Sequence, residues 1–218
     1  MAENLPDLQR RESHVDVPLS EEDVGSDPIG TLWAWLADAE HRGQTQFNAM
    51  VLATVGPDGH PSARNVLLRG IDDDGRLRFF TNRESRKGTD MASEPHVGLL
   101  FSWLEIFRQV RVDGVVSLLP TSDSDAYFAT RPRGSQLADW ASEQSSVIPD
   151  RAHLEARVEE ARRRFEGVEV HPSPHWSGWA VTPLAIEFWQ GRSDRLHDRI
   201  RFRRDDPSQE WTRERLAP

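Results

Sequence analysis

Apolar positions along the chain recur at helical spacing, then strand spacing, then helical, then strand again. Asp27-Pro28 supplies an N-cap carboxylate followed by proline at the first helical position. Ile29, Leu32, Trp33 and Leu36 then mark one face, predicting an amphipathic helix over 28–41. From Phe47 the period shortens to two. Strands are predicted at 49–55, 62–70 and 76–81, separated by the turns Gly56-Pro57-Asp58-Gly59 and Asp72-Asp73-Asp74-Gly75. A short helix is expected around 86–92, and two more strands at 96–103 and 107–118. Three helices follow at 122–130, 135–142 and 150–166. In the last, Asp150 is the cap, Leu154, Val158, Ala161 and Phe165 form one stripe, and Gly167 ends it. Strands return at 178–182, 185–190, 197–203 and 210–215. Strands joined by short hairpins, then helices, then strands describe an α+β chain rather than βαβ repeats. The expected architecture is an antiparallel barrel or sheet with helices packed outside.

Residues 1–26 are polar and mixed in charge, and read as a mobile arm; 27–218 read as one domain. Composition adds exclusions. The net charge of −9 over 218 residues argues against broad nucleic-acid binding, which needs a positive footprint. No apolar run is long enough to span a bilayer, and the N-terminus lacks a secretory pattern, so the cytoplasm is the expected location. With no cysteine there are no disulfides and no thiolate metal sites, and no histidine spacing suggests a metal. Lys87 is the only lysine among 27 basic residues, so Schiff-base chemistry would have to use it.

Four clusters carry candidate chemistry. Arg64-Asn65-Val66-Leu67-Leu68-Arg69 is a strand bracketed by arginines, which serve two anions or are solvated strand ends. Phe80-Thr81-Asn82-Arg83-Glu84-Ser85-Arg86-Lys87 runs from a strand end into a helix start, where free N–H groups and the dipole favour an anion. A phosphate site and a capped surface helix are both compatible with it. Tyr127, Arg131, Arg133 and Ser135, followed by Gln144-Ser145-Ser146, form a third. In the fourth, Ile186–Arg203, Gln190-Gly191 breaks an alternating strand. An extended chain from Arg195 would put Arg195, His197, Arg199 and Arg201 on one face and Leu196, Ile200 and Phe202 on the other. That face is either an anion-binding row or a solvated strand. Several anion points without a protein nucleophile suit a cofactor that carries the reaction itself.

Together these motifs resemble the pyridoxine (pyridoxamine) 5′-phosphate oxidases over nearly the whole chain from about Asp27. The likeness rests on Arg-Asn-Val-Leu-Leu-Arg (64–69), Phe-Thr-Asn…Ser-Arg-Lys (80–87), Arg-Gln-Val (108–110), Tyr-Phe-x-x-Arg-Pro-Arg-x-Ser-Gln (127–136) and Trp-Ala-Ser-x-Gln-Ser-Ser (140–146). Phe-Trp-Gln-Gly (188–191), Arg-Leu-His-Asp-Arg (195–199) and Arg-Leu-x-Pro (215–218) complete it. It implies the FMN-binding split barrel, an antiparallel Greek-key barrel with flanking helices, acting as a homodimer with FMN at the subunit interface. By position, Arg64, Asn65, Val66, Leu67, Leu68, Arg69, Phe80, Thr81, Arg86 and Lys87 would bind FMN, the last two near its phosphate. Gln109, Gln144 and Ser145 would complete the flavin site, the last two from the other subunit, with Trp189 and Arg199 also in contact. The substrate phosphate would fall to Arg69, Tyr127, Arg131 and Ser135, with Arg10 from the arm; Arg195 and His197 would lie over the substrate ring as the catalytic pair. The implied reaction moves hydride from C4′ of pyridoxine or pyridoxamine 5′-phosphate to FMN and the electrons on to O2, giving peroxide. With the amine, the imine then hydrolyses to aldehyde and ammonia.

Two positions depart from the family pattern. Arg69 stands where lysine is usual, which keeps charge but changes donor geometry, and Ser13 stands where bacterial members typically have tyrosine. Both touch substrate recognition. The alternatives are a related FMN oxidase acting on phenazine precursors, which generally lacks the Arg-Gln-Val and Phe-Trp-Gln-Gly forms, and a non-catalytic flavin- or pyridoxal-phosphate-binding split barrel.

Overall fold

The computed structural model describes residues 17–218. The candidate positions Arg10 and Ser13 lie outside them.

Ser20 caps a short helix α1 (Glu21–Val24) through a reciprocal capping box with Asp23. Residues 17–26 were expected to be mobile, yet they pack against the body. Leu19 and Val24 are buried, Asp198 accepts from the Leu19 N–H at 3.0 Å, and Arg215 holds Glu21. Helix α2 (Pro28–His41) starts as predicted, with Asp27 Oδ1 accepting from Ile29 N at 3.0 Å. Its buried stripe is Leu32, Trp35, Leu36 and Ala39; Trp33, expected inside, is 49% exposed. The error was between two tryptophans two residues apart, which lie on different helix faces.

The strands are β1 (Ala49–Val55), β2 (Pro61–Leu67), β3 (Gly70–Ile71), β4 (Leu77–Asn82), β5 (His96–Trp103), β6 (Arg108–Leu118), β7 (Trp176–Gln190), β8 (Asp198–Arg203) and β9 (Thr212–Arg215). All pairings are antiparallel, in the order β2-β1-β5-β6-β7-β4-β3, with β8 on β7 and β9 on β8. β2 and β3 stand at opposite ends of that order, yet only Leu68 and Arg69 separate them in sequence. The two ends must therefore meet, and the sheet curls into a barrel. Backbone bonds fix the corner: Leu68 N donates to Asn48 O at 2.9 Å and Arg69 N to Arg78 O at 2.8 Å.

The expected strands 178–182 and 185–190 are one strand, β7, which pairs with β6 from Trp179 to its end, with β4 along its first part and with β8 along its second. The register shifts between Asp113 and Gly114, opposite Pro183 and Ala185. Proline without an N–H is tolerated at such a bulge, which is why the sequence read there as a break. Gly114 is required: a Cβ would stand 2.4 Å from Thr182 O.

Apolar faces of β1, β5, β6, β7 and β8 meet α2 in the main core, where Leu52, Phe79, Phe101, Val112, Ile186, Phe188 and Phe202 are buried. Helix α3 (Arg86–Ser93) covers part of β1. Helices α4 (Thr121–Thr130), α5 (Arg133–Ala141) and α6 (Arg151–Arg164) form a second core around Phe128, Leu137, Ala161 and Phe165. Among the described residues no helix is long and apolar enough to cross a membrane.

Candidate active site

The barrel corner after β2, the end of β4 and the helices α4–α5 enclose a cleft of about 420 Å³. Asn65, Val66, Leu67 and Arg69 come from the corner, Phe80, Thr81 and Asn82 from β4, Lys87 from α3, and Tyr127, Arg131 and Gln144 from the helical side. The β4–β7 register sets one wall. Phe80 lies opposite Gly178, where any Cβ would come within 2.7 Å of its ring, so glycine leaves the ring its place. Phe80 stacks on Tyr127, the only tyrosine, with centroids 4.0 Å apart, and Trp176 continues the stack at 5.9 Å. A flat aromatic ligand or a planar cation matches such a wall.

The floor is cationic. The Arg131 guanidinium sits 4.3 Å from the Trp176 centroid, and its Nη1 is buried with no hydrogen-bond partner among the described residues. Burial pulls Arg131 below the usual guanidinium pKa and neighbouring Arg69 adds to that, while Asp139 and Tyr127 oppose it. A buried, unpaired guanidinium N–H is costly unless an anion arrives.

Beside it, Ser85 caps α3, and its Oγ accepts from Gly88 N at 3.4 Å. Lys87 Nζ donates to Gln144 Oε1 at 2.8 Å and to Ser85 Oγ at 3.1 Å; Thr81 Oγ1 donates to the same carboxamide oxygen at 3.2 Å. Ser145 Oγ accepts from Arg86 N at 3.1 Å. Gln144 and Ser145 were expected from a second subunit; in this fold they reach the cleft of their own chain, carried there by the segment after α5. Burial, and secondarily the charge of Arg64, lowers the Lys87 pKa to about 8. Neither Arg86 nor Lys87 is in an ion pair among the described residues. Arg64 projects to the other side of β2 from Asn65, toward Lys87 and α3. Leu68 is buried in the core, and Ser135 stands in the first turn of α5, a turn before Ala138 and Asp139 of the cleft.

The remaining candidates lie elsewhere. Gln109 pairs with Trp189, and Trp189 with Arg199, at the far end of β6–β7–β8. Trp189 is eleven positions beyond Gly178 on β7, on the order of 35 Å along a strand. None of Gln109, Trp189 and Arg199 lines the cleft of its own chain. The expected extended face 195–201 does not form. Ser193–Arg195 is a 3-10 turn, Arg195 is left-handed (φ 63°), Leu196 is 70% exposed, and only Arg199 and Arg201 are on β8. Those two are not free for an anion either: Arg199 Nε donates to buried Glu187 at 2.7 Å and Arg201 pairs with Glu214 at 2.6 Å. His197 packs on Trp189 with centroids 4.7 Å apart, and its Nδ1 accepts from Arg192 N at 3.1 Å. In the neutral ring the proton is therefore on Nε2.

Sequence reasoning missed Trp176 and Asp139. Trp176 faces Asn82 across β4–β7, a pairing of residues far apart in the chain; only the tryptophan just before the alternating run of β7 hinted at it.

A family model described as "Pyridoxamine 5'-phosphate oxidase" matches residues 37–165, and one described as "Pyridoxine 5'-phosphate oxidase C-terminal dimerisation region" matches 176–218. The chain is 48% identical over 215 residues to a "Pyridoxine/pyridoxamine 5'-phosphate oxidase" of Salinibacter ruber, covering 98% of this chain and 99% of that protein. It is 51% identical over 214 residues to the protein of the same name from Cupriavidus necator, again covering 98% and 99%. Among solved structures, PhzG from Burkholderia lata in complex with tetrahydrophenazine-1-carboxylic acid superposes with a TM-score of 0.86 at 33% identity, covering 94% of this chain and 99% of that one. An FMN-binding, pyridoxamine 5′-phosphate oxidase-related protein of Nostoc punctiforme shares the fold, with a TM-score of 0.70 at 20% identity, covering 89% and 100%.

Proposed function

The chain belongs to the pyridoxine/pyridoxamine 5′-phosphate oxidase family, an oxidoreductase family, and from that premise we propose that it is a cytoplasmic FMN-dependent oxidase forming pyridoxal 5′-phosphate from pyridoxine or pyridoxamine 5′-phosphate, with O2 as acceptor and H2O2 as product. The observation that carries this reading is one cleft lined by two cationic points, Lys87 and the pair Arg69–Arg131, together with the stacked rings of Phe80 and Tyr127. A flavin phosphate and a substrate phosphate need two such points. The residues fit FMN, because Lys87 is buried without a carboxylate and α3 presents its N-terminus to the same place.

FMN held there would supply a hydride acceptor for C4′ of the substrate and a two-electron donor to O2. The chain's own residues bind and orient. Arg131, with its unpaired Nη1, and Arg69 and Tyr127 beside it hold the substrate phosphate, with Ser135 at the helix start. Thr81, Lys87, Arg86, Gln144 and Ser145 hold the cofactor, and the corner 64–69 lies along it. Gln109, Trp189, Arg195, His197 and Arg199 act from the other subunit of a homodimer: none of them lines its own chain's cleft, and a dimerisation region matches 176–218. Arg195 and His197 are there the catalytic pair over the substrate ring, and His197 donates from Nε2. Their roles are alignment and electrostatics.

The likeness to PhzG supports a second reading, oxidation of a reduced phenazine precursor, at lower identity than to the B6 oxidases. Anaerobic addition of substrate to the yellow holoprotein separates them. Pyridoxine or pyridoxamine 5′-phosphate should bleach the flavin; bleaching only by a dihydrophenazine-type acid would overturn the proposal.

A further inference from the structure

Behind Arg64 lies a buried carboxylate that none of the roles above uses. Asp90, on the inward face of α3 one turn after Arg86, is 2% exposed. Its Oδ2 accepts from Thr54 Oγ1 of β1 at 2.7 Å. Thr54 Oγ1 in turn accepts from Arg64 Nη1 at 2.7 Å, and Asp90 Oδ2 stands 3.7 Å from Arg64 Nη2. Thr54 is itself 1% exposed.

A hydroxyl has one proton, and a carboxylate can only accept. The Thr54 proton is therefore committed to Asp90, which turns the oxygen lone pairs toward Arg64. Leu52 O at 3.2 Å and Ser62 Oγ at 2.7 Å take further guanidinium protons. The fork is held in one orientation, with its Nε unbonded among the described residues. Arg64, Arg86 and Lys87 form a like-charged group, and Asp90 is the buried carboxylate set among them. Without it, Arg64 would be repelled by Lys87 and Arg86 and free to rotate away.

We infer that Asp90, through Thr54, is a positioning residue that aims Arg64 at the cofactor phosphate. The inference rests on the reading of Arg86 and Lys87 as the FMN phosphate site, beside which the charge of Arg64 stands. Charge and geometry predict opposite signs, which makes it testable. If Asp90 acted only as a negative charge near a dianion, Asp90→Asn would tighten FMN binding. If it positions Arg64, the same change weakens binding, and Thr54→Val, which alters no charge, weakens it too.

The experiment titrates FMN into flavin-free protein and follows quenching of flavin fluorescence. Wild type failing to bind FMN would remove the underlying site reading, separately from this inference. With wild type binding, Asp90→Asn and Thr54→Val should each raise Kd about tenfold, the size of one charge-assisted hydrogen bond. Substrate KM at saturating FMN should not change. In an Arg64→Lys background neither substitution should raise Kd further. Either variant binding FMN as tightly as wild type, or an additive loss in the Arg64→Lys background, would overturn the assignment. Thermal melts of the flavin-free variants show that each is folded, and the two chemically different variants guard against loss of one of them.

Discussion

Lys87 Nζ donates to Gln144 Oε1 at 2.8 Å, across 57 residues of sequence, and this contact ties α3 to the segment after α5 at the edge of the cleft within one chain. The ammonium is otherwise surrounded by hydroxyls and by the charge of Arg64, and carries no carboxylate partner among the described residues.

Its titration makes cofactor binding pH-dependent. Burial, then Arg64, lowers the Lys87 pKa from 10.5 to about 8. In the folded, flavin-free protein the charge is present below pH 8 and lost above it. FMN affinity should fall as pH rises through 8, with proton uptake on binding visible as a buffer-dependent heat in calorimetry. Between pH 8 and 10.5 the unfolded chain holds a proton that the folded one lacks, so Lys87's contribution makes flavin-free stability rise with pH over that window. Lys87→Met should abolish both trends.

Gly88 has no room for a side chain. A Cβ there would meet Arg83 O at 2.2 Å, a backbone atom that cannot swing aside. Gly88→Ala should destabilise the protein by about 1–3 kcal/mol by forcing the start of α3 outward. FMN binding should be lost more completely than stability, as read by fluorescence titration beside a chemical melt.

Arg131 should dominate substrate affinity. Its buried Nη1 has no hydrogen-bond partner among the described residues, so a bound phosphate gains a charge-assisted hydrogen bond in a desolvated place. Arg131→Met should raise substrate KM by about 10²-fold, equivalent to two strong hydrogen bonds. FMN affinity should change little, and steady-state kinetics with excess FMN measures the split.

A shared site can be tested by complementation. Lys87→Ala and Trp189→Ala dimers should each be inactive, since each spoils both sites. Unfolded and refolded together, about half the dimers are mixed, and each mixed dimer carries one intact site, restoring about a quarter of wild-type activity. No recovery would mean that the two groups of residues do not meet across subunits.

The sequence alone determined much of this protein, because several signals are local. Asp27 before Pro28 and Asp150 before α6 are caps whose geometry depends on two or three neighbouring residues, and both formed as read. Strand alternation in β1, β4 and β6 likewise needs only the period of the side chains, and the motif 80–87 runs from a strand end into a helix start as expected. Tertiary structure decided what depends on pairing at a distance. Trp35 rather than Trp33 is inside because the core lies on one particular side of α2. Pro183 sits in a bulge within one long strand because β6 runs alongside it. Arg195 leaves the strand face for a left-handed turn, and Arg199 finds Glu187 across β7. Gln144 reaches Lys87 in its own chain, while Trp189 is carried far down β7 from Phe80. Asp90 meets Thr54 36 residues away, a contact that no spacing along the chain encodes. Caps and alternation are set by neighbours in sequence; the orientation of a buried charge is set by whatever the folded barrel brings beside it.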